Sequence, residues 1–529
     1  MTFIRIIILW MALFVSPAVA ERSMLTQGVC ASSLTEQISA LESLAAFGAE
    51  RGSDEAEWAL LIVEAVANRT LRCTENGAFL GEGGSALDAV TLTAATAPDA
   101  ATAPPINNRL RATAASASAV LTLFTSTEPS QRADAVSALE RRREALNVPI
   151  LDAALSFETD AVVISALEAL RARMLLTDED PANRIRAIEA IAQNATLRNR
   201  TLISEAVSAD ADADVIAAGA VALAQIDRKL ALGRALAALY SGLSYASVLL
   251  LAALGLAIIF GLMGVINLAQ GEFIMIGAYA AWFVQAGMKI VMPGLIDWYL
   301  IVALPVSFLI AALVGIVMEA VVLRRLYDRP LMTLLATWAV SLLLINLVRV
   351  TIGTQNLEFY QPFYVSGGIT VLGDFIITWN RLFAILIAIV AFLGVVALLR
   401  FSTFGMNVRA VAQNRTMAGA AGIDTRRTDR FAIALGSGLA GLAGVALAPL
   451  YNVNPNMGAG FIVDSFMVVV LGGVGSLIGT VIASFGIGQI NVIIEPLYGA
   501  VAAKVVVLLL VIAFIQRRPQ GLFAPKGRR

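Results

Sequence analysis

The chain has 529 residues, of which 58% are hydrophobic and 15% charged, with a formal net charge of −1. Two cysteines and no histidine exclude a His-based catalytic triad and a structural zinc site. The near-zero net charge hides a segregation. Residues 21–238 carry 29 Asp/Glu against 19 Lys/Arg, whereas residues 239–529 carry 10 against 18 in a far more apolar background. This describes an acidic soluble domain followed by a membrane domain.

Residues 1–20, MTFIRIIILWMALFVSPAVA, combine Arg5, an apolar core and small residues at Ala18 and Ala20. They read as a secretory signal peptide, the rival being a retained first transmembrane helix. Residues 21–238 are then an extracytoplasmic domain, where a disulfide between Cys30 and Cys73 is chemically permitted. Leu41, Leu44, Ala45 and Phe47, then Trp58, Leu61 and Ile62, place helix over 31–70. The patch 76–84 reads as a turn and 92–107 as a loose Ala/Thr/Pro-rich connector. From 108 to 237 short amphipathic helices succeed one another, for example at Val162–Leu170 and at 178–194, where Pro181 marks a helix start. They resemble a HEAT-type solenoid, with a plain helical bundle as the alternative. Nothing here has the constellation of an enzyme.

Apolar segments long enough to cross a bilayer lie near 239–263, 265–287, 299–323, 331–351, 382–399, 430–450 and 498–516. The block 463–492 is interrupted by Gly472, Gly473, Gly475 and Gly479, and reads as a broken pair with close helix contacts at those glycines. Nine crossings result, with a transmembrane domain over 239–518 and a tail at 519–529. The basic clusters at 324–329, 400–430 and 517–529 should be cytoplasmic. Between apolar, glycine-rich segments that read as membrane-embedded lie Asn267, Gln270 and Glu272, polar groups that protein, solute or water has to satisfy. They either line a translocation path or brace a helix junction. Asn346 is expected to hydrogen-bond between helices, and Glu319 to neutralise Arg324 or Arg325.

Four blocks carry a resemblance: GLAIIFGLMGVINLAQGEFIMIGAY (255–279), RPLMTLLATWAVSLLL (329–344), FGMNVRAVAQNRTMAGAAGID (404–424) and FMVVVLGGVGSLIGT (466–480). In this order they resemble the permease subunits of the branched-chain amino acid family of ABC importers. The family commonly has His where this chain has Gln270. Within the family the chain resembles most the urea-uptake permeases, through its long N-terminal extension, QPFYVSGGITVLGDFIITWNR (361–381) and the tail RRPQGLFAPKGRR (517–529). The fold class implied is all-α, a polytopic helical permease domain preceded by the exported helical domain. The function implied is urea import across a bacterial inner membrane, with import of branched-chain or other amino acids as the alternative and a membrane-anchored receptor or scaffold as a second.

No GxxxxGK[ST] loop occurs, so the chain itself is expected to bind no cofactor and to perform no catalysis. ATP and Mg would sit on two cytoplasmic ATPase subunits. The other partners implied are a second homologous permease, a periplasmic solute-binding protein and the lipid bilayer, with no nucleic acid. The resemblance places ATPase coupling on the loop 401–429, with Arg409, Gln413, Asn414, Arg415 and Gly422. The N-terminal domain would be periplasmic and the C-terminus cytoplasmic.

Overall fold

The computed structural model describes residues 17–74, 77–81, 86–98, 100–142, 145–327 and 329–523. Most of the expected signal peptide, part of the 76–84 turn and the last six residues of the tail lie outside the described residues. Contacts divide the chain into two units, Met1–Arg228 and Lys229–Arg529.

The first unit opens with α1 (Pro17–Val29), α2 (Leu34–Arg51) and α3 (Ser53–Ala67). The apolar stripe Leu41, Leu44 and Ala45 on α2 is fully buried, as is Ile62 on α3. Four short strands follow: β1 (Leu71–Thr74), β2 (Gly77–Leu80), β3 (Ala86–Asp88) and β4 (Ala94–Ala95). They form an antiparallel meander in the order β1-β2-β3-β4. This corrects the all-α expectation, and so does a hairpin in the second unit. Strands this short are too brief to carry a period-2 alternation, and two of them fall where only turn and connector residues were legible. The Trp58 indole donates to the Ala89 carbonyl at 2.8 Å, tying helix to sheet. Cys30 and Cys73 form a disulfide that joins the end of α1 to β1.

The helices α4 (Asn108–Thr125), α5 (Pro129–Arg141), α6 (Val148–Phe157), α7 (Ala161–Leu175), α8 (Pro181–Gln193) and α9 (Leu197–Ala209) complete the unit, together with the start of α10 (Ala213–Met263). Their starts carry the caps legible in sequence: Asn107, Asn147, Asp160, Asp180 and Thr196 each accept a first-turn backbone N–H. One device recurs. Arg132 on α5 binds Glu158 just before α7, 26 residues on, and Arg184 on α8 binds Asp210 just before α10, again 26 residues on. Each arginine also donates to a carbonyl six residues earlier, Ser126 and Asp178. The repeating unit is therefore three helices, α5–α7 and then α8–α10, rather than the two of a HEAT unit.

Glu158 accepts both nitrogens of the Arg132 fork and the Thr159 and Asp160 amides, at 2.7–2.9 Å. The Arg132 hydrogen bond, reinforced by those amides, holds its carboxyl down at about 2 against an ordinary 4.5. A depressed folded-state pKa stabilises above the unfolded value and is lost as pH falls through the folded one. Glu158→Gln is therefore expected to lower stability at pH 7 by about 2 kcal/mol, a melting shift of roughly 5 °C for this unit. The gap from the unaltered protein should narrow as pH drops from about 4.5 towards 2. Thermal melts of the purified chain at stepped pH read both; a gap constant with pH overturns the assignment.

In the second unit α10 is followed by α11 (Gln270–Val291), α12 (Tyr299–Val321), α13 (Pro330–Thr351), the hairpin β5 (Gly368–Leu372) and β6 (Phe375–Thr378), α14 (Trp379–Phe401), α15 (Thr403–Gln413), α16 (Arg415–Ala420), α17 (Thr425–Leu447), α18 (Ala459–Gly472) and α19 (Leu477–Arg517). Among the described residues seven helices are long and apolar enough to cross a membrane. One of them, α19, is folded back. A straight helix of its 41 residues would separate its ends by about 60 Å. Instead the Leu522 amide donates to Leu471 at 2.8 Å and Phe523 to Gly472 at 3.3 Å, beside the start of α19. The reversal is made at Gly499, whose φ of 85° lies in the left-handed region, three residues after Pro496. By contrast α18, with 14 residues and about 21 Å of rise, is too short to cross alone.

The chain thus enters the bundle at 239 and leaves α19 at the opposite end. Residues 321–329, 400–430 and 471–479 share that second end with 517–523, and with them 11 of the bundle's arginines. The first end holds 285–299, 352–380 and 449–457, linked by Tyr360 to Gln285 and Asp297, and by the Leu357–Val453 bridge.

Candidate functional site

The polar triplet at the α10–α11 junction is buried: Asn267 and Gln270 are 1% exposed and Glu272 2%. Two of the three side chains meet, Asn267 Nδ2 donating to Gln270 Oε1 at 3.4 Å, and the third turns away. Asn267 Oδ1 accepts the Ala269 amide at 3.0 Å and so shapes the turn into α11. Gln270 Nε2 donates to Gly436 at 3.2 Å and Ala252 at 3.4 Å, both mid-helix carbonyls on α17 and α10. Glu272 points the other way, to Ser341 on α13. Its Oε2 has no partner among the described residues. The Leu268 amide donates to Thr337 Oγ1 on the same helix at 3.3 Å. Helix α11 therefore starts deep within the bundle, beside the crossing of α10 and α17. A second start lies next to it: Gly458, just before α18, is close enough to Gly271 that a Cβ there would meet its carbonyl.

Asn346 departs from expectation. It is exposed, and its Nδ2 donates to Leu342 of its own helix at 2.8 Å, so it makes no interhelical bond. The glycines divide into two kinds. Gly472 and Gly479 pack backbone on backbone where α18 meets α19, and a Cβ on Gly472 would sit 2.5 Å from Gly479. At Gly473 and Gly475 a positive φ, 94° and 82°, makes the turn between those helices. A Cβ on Gly473 would also meet the Phe523 carbonyl, at 2.8 Å. A Cβ on Gly475 would meet nothing within 4 Å, yet its backbone lies against α10, where a Cβ on Gly261 would sit 3.2 Å from the Gly475 Cα; the left-handed backbone is a second reason for glycine there.

At the basic end two buried carboxylates anchor the loop. Glu319, 1% exposed on α12, pairs with Arg324 at 3.1 Å, has Arg430 at 3.7 Å and accepts the Tyr327 hydroxyl. Asp429 on α17 is fully buried and takes both nitrogens of Arg415. Arg415 also lies over the Tyr327 ring, 5.4 Å from its centroid. Burial, with Asp429 and Glu319 nearby, pushes the Tyr327 phenol up. Of the five loop residues expected from sequence, Arg415 thus commits its guanidinium to Asp429 while staying 43% exposed. Asn414 caps α16 through the Met417 amide, and Gly422 makes a turn at φ 88°. Arg409, which donates to the Leu399 carbonyl, and Gln413 remain at the surface with the exposed Met406 and Met417.

Sequence reading missed Asp429, and it missed Asp464. Asp464 is fully buried on α18, and its Oδ2 accepts the Tyr245 hydroxyl of α10 at 2.9 Å. Its one sequence signal was a lone acid inside the apolar run FIVDSFMVVV.

A family model described as branched-chain amino acid transport system, permease component, matches residues 238–515. The high-affinity branched-chain amino acid transport system permease protein LivH of Escherichia coli (strain K12) is 30% identical over 291 residues, covering 54% of this chain and 94% of its own. BraD of Pseudomonas aeruginosa, of the same description, is 26% identical over 290 residues with the same coverage. A probable branched-chain amino acid permease LivH of Methanocaldococcus jannaschii is 28% identical over 302 residues, 53% of this chain and 89% of its own. No solved structure matches. These relatives overturn the urea reading, since the family model and the relatives alike carry branched-chain amino acid transport in their descriptions. The physical reason is visible in 361–381. That block folds as the β5–β6 hairpin and its approach, with Gln361 bonded to the Pro449 carbonyl. Most of it carries architecture at the end of the bundle.

Proposed function

The chain belongs to the family of branched-chain amino acid transport system permease components, the non-catalytic membrane part of an ABC transporter, and from that premise we propose that it imports branched-chain amino acids as one half of a permease pair. The single observation that carries the substrate class is the agreement of the family model with relatives covered over nine-tenths of their length. Two ATPase subunits, a second permease and a solute-binding protein complete the proposed complex. The crowding of arginines at the 321–329, 400–430 and 517–523 end supports its placement in the cytoplasm. There Met406, Arg409, Gln413 and Met417 form the surface we assign to ATPase coupling, while Asn414, Arg415 and Gly422 shape the loop behind it. The acidic three-helix repeats then stand outside the cytoplasm, as a docking surface for the rest of the complex. Asn267, Gln270 and Glu272 brace the start of α11: Asn267 and Gln270 bond to each other and tie the turn to α10 and α17, and Glu272 reaches α13.

Reconstitution of the complex with and without this chain tests the reading. ATP-dependent uptake of leucine, isoleucine and valine that requires the chain is the expected result. Uptake of none of the three by the complete complex overturns it.

A further inference from the structure

At the end of the bundle opposite the arginine-rich one lies a cavity of about 520 Å³, bounded by α10, the start of α14, the end of α17 and the turn of α19. That size falls within the roughly 300–1,000 Å³ of small-molecule sites. Two opposite charges border it, the half-buried Arg381 and the exposed Glu495. They are not paired with each other, and neither forms an ion pair with any other described residue. The rest of the lining is mixed, apolar at Val248, Leu447, Leu450 and Val492 and polar at Ser241, Ser244, Thr378 and Asn380. Tyr245 also lines the cavity, held in place by its hydroxyl bond to the buried Asp464.

A free anion or cation would satisfy one of these charges and leave the other bare. A neutral polar solute could hydrogen-bond both without balancing either charge, and a long hydrocarbon would meet neither. A solute that carries a carboxylate and an ammonium on one carbon, with an aliphatic branch, uses all three features. We infer that this cavity is a transport subsite for a zwitterionic aliphatic amino acid, with Arg381 taking the carboxylate, Glu495 the ammonium and the Val248–Leu447–Leu450–Val492 wall the side chain. The inference rests on the proposed import function and adds the place in this chain where the solute is held. Charge pairing gives the selectivity, because a site built around two charges penalises a molecule that leaves either unpaired.

The test uses the whole complex in proteoliposomes, with saturating leucine-loaded binding protein, and reads leucine moved per ATP hydrolysed. Arg381→Gln and Glu495→Gln are each expected to lower that ratio about tenfold, and Arg381→Lys to restore it to within about threefold. A structural role for either residue would lower the amount of assembled complex without changing the ratio. A complex that imports leucine with an unchanged ratio in both Gln variants overturns the subsite alone. An unaltered complex that imports none of leucine, isoleucine and valine overturns the import function and the subsite together.

Discussion

Arg415→Ala is expected to destabilise the membrane unit by about 3–5 kcal/mol, the range for breaking a buried ion pair by removing one partner. The size follows from asymmetry of burial. Arg415 is 43% exposed and could find water, but Asp429 is at 0% and would be left as an uncompensated carboxylate. The nearby Glu319, 1% exposed, adds a like charge to the same site. Arg415→Lys should recover only part of the loss, since an ammonium cannot reproduce the two-pronged contact with both carboxylate oxygens or the stacking on Tyr327. The double change Arg415→Ala with Asp429→Leu should be more stable than Arg415→Ala alone, because the stranded charge is gone. Arg409→Ala should leave stability within about 0.5 kcal/mol, as expected for a surface position. Melting of the detergent-purified protein reads all four. If Arg415→Ala melts with the unaltered protein, the buried pair is no anchor and Arg415 returns to the coupling surface.

The second large effect is expected at Gly444→Leu, with at least a tenfold loss of folded protein in the membrane. Helix α17 crosses α11 with backbones in contact. A Cβ on Gly444 would lie 2.0 Å from the Ile274 carbonyl, and one on Gly277 would lie 2.1 Å from the carbonyl of Gly441. These neighbours are backbone, so no rotamer change relieves the clash and the helices have to separate. Separation would also pull the Gly436 carbonyl away from Gln270 and unbrace the start of α11. Gly444→Ala should show an intermediate loss. Gly486→Ala, where a Cβ meets nothing within 4 Å, should accumulate normally and reports on expression alone. Wild-type accumulation of Gly444→Leu, read by fluorescence-detected size exclusion, would mean that α11 and α17 do not cross as described.

Much of this architecture was written in the chain itself. Hydropathy located the spans because a bilayer demands about 20 apolar residues per helix, and the family blocks at 255–279 and 404–424 identified a permease. The same local signals misled where they had to stand for something distant. The 361–381 block suggested a solute, yet it is a hairpin, and solute choice depends on groups that only folding gathers. Arg381 and Glu495 are more than a hundred residues apart and border one cavity; Tyr245 and Asp464 are 219 apart and share a hydrogen bond. A lone acid in an apolar run marks Asp464 as a buried charge without naming its partner, and Asp429, set among Arg426, Arg427 and Arg430, carries no such mark, so both needed the fold to be understood. Glycines show the same limit. Sequence marked Gly472, Gly475 and Gly479 alike, whereas the structure packs Gly472 and Gly479 on each other and gives Gly475 a left-handed turn against Gly261 of α10. Composition and periodicity determined which segments are helical and which enter the membrane, because those are properties of consecutive residues. Tertiary structure alone decided which polar groups meet, because desolvated charges and close backbone contacts are relations between segments that no single window of sequence contains.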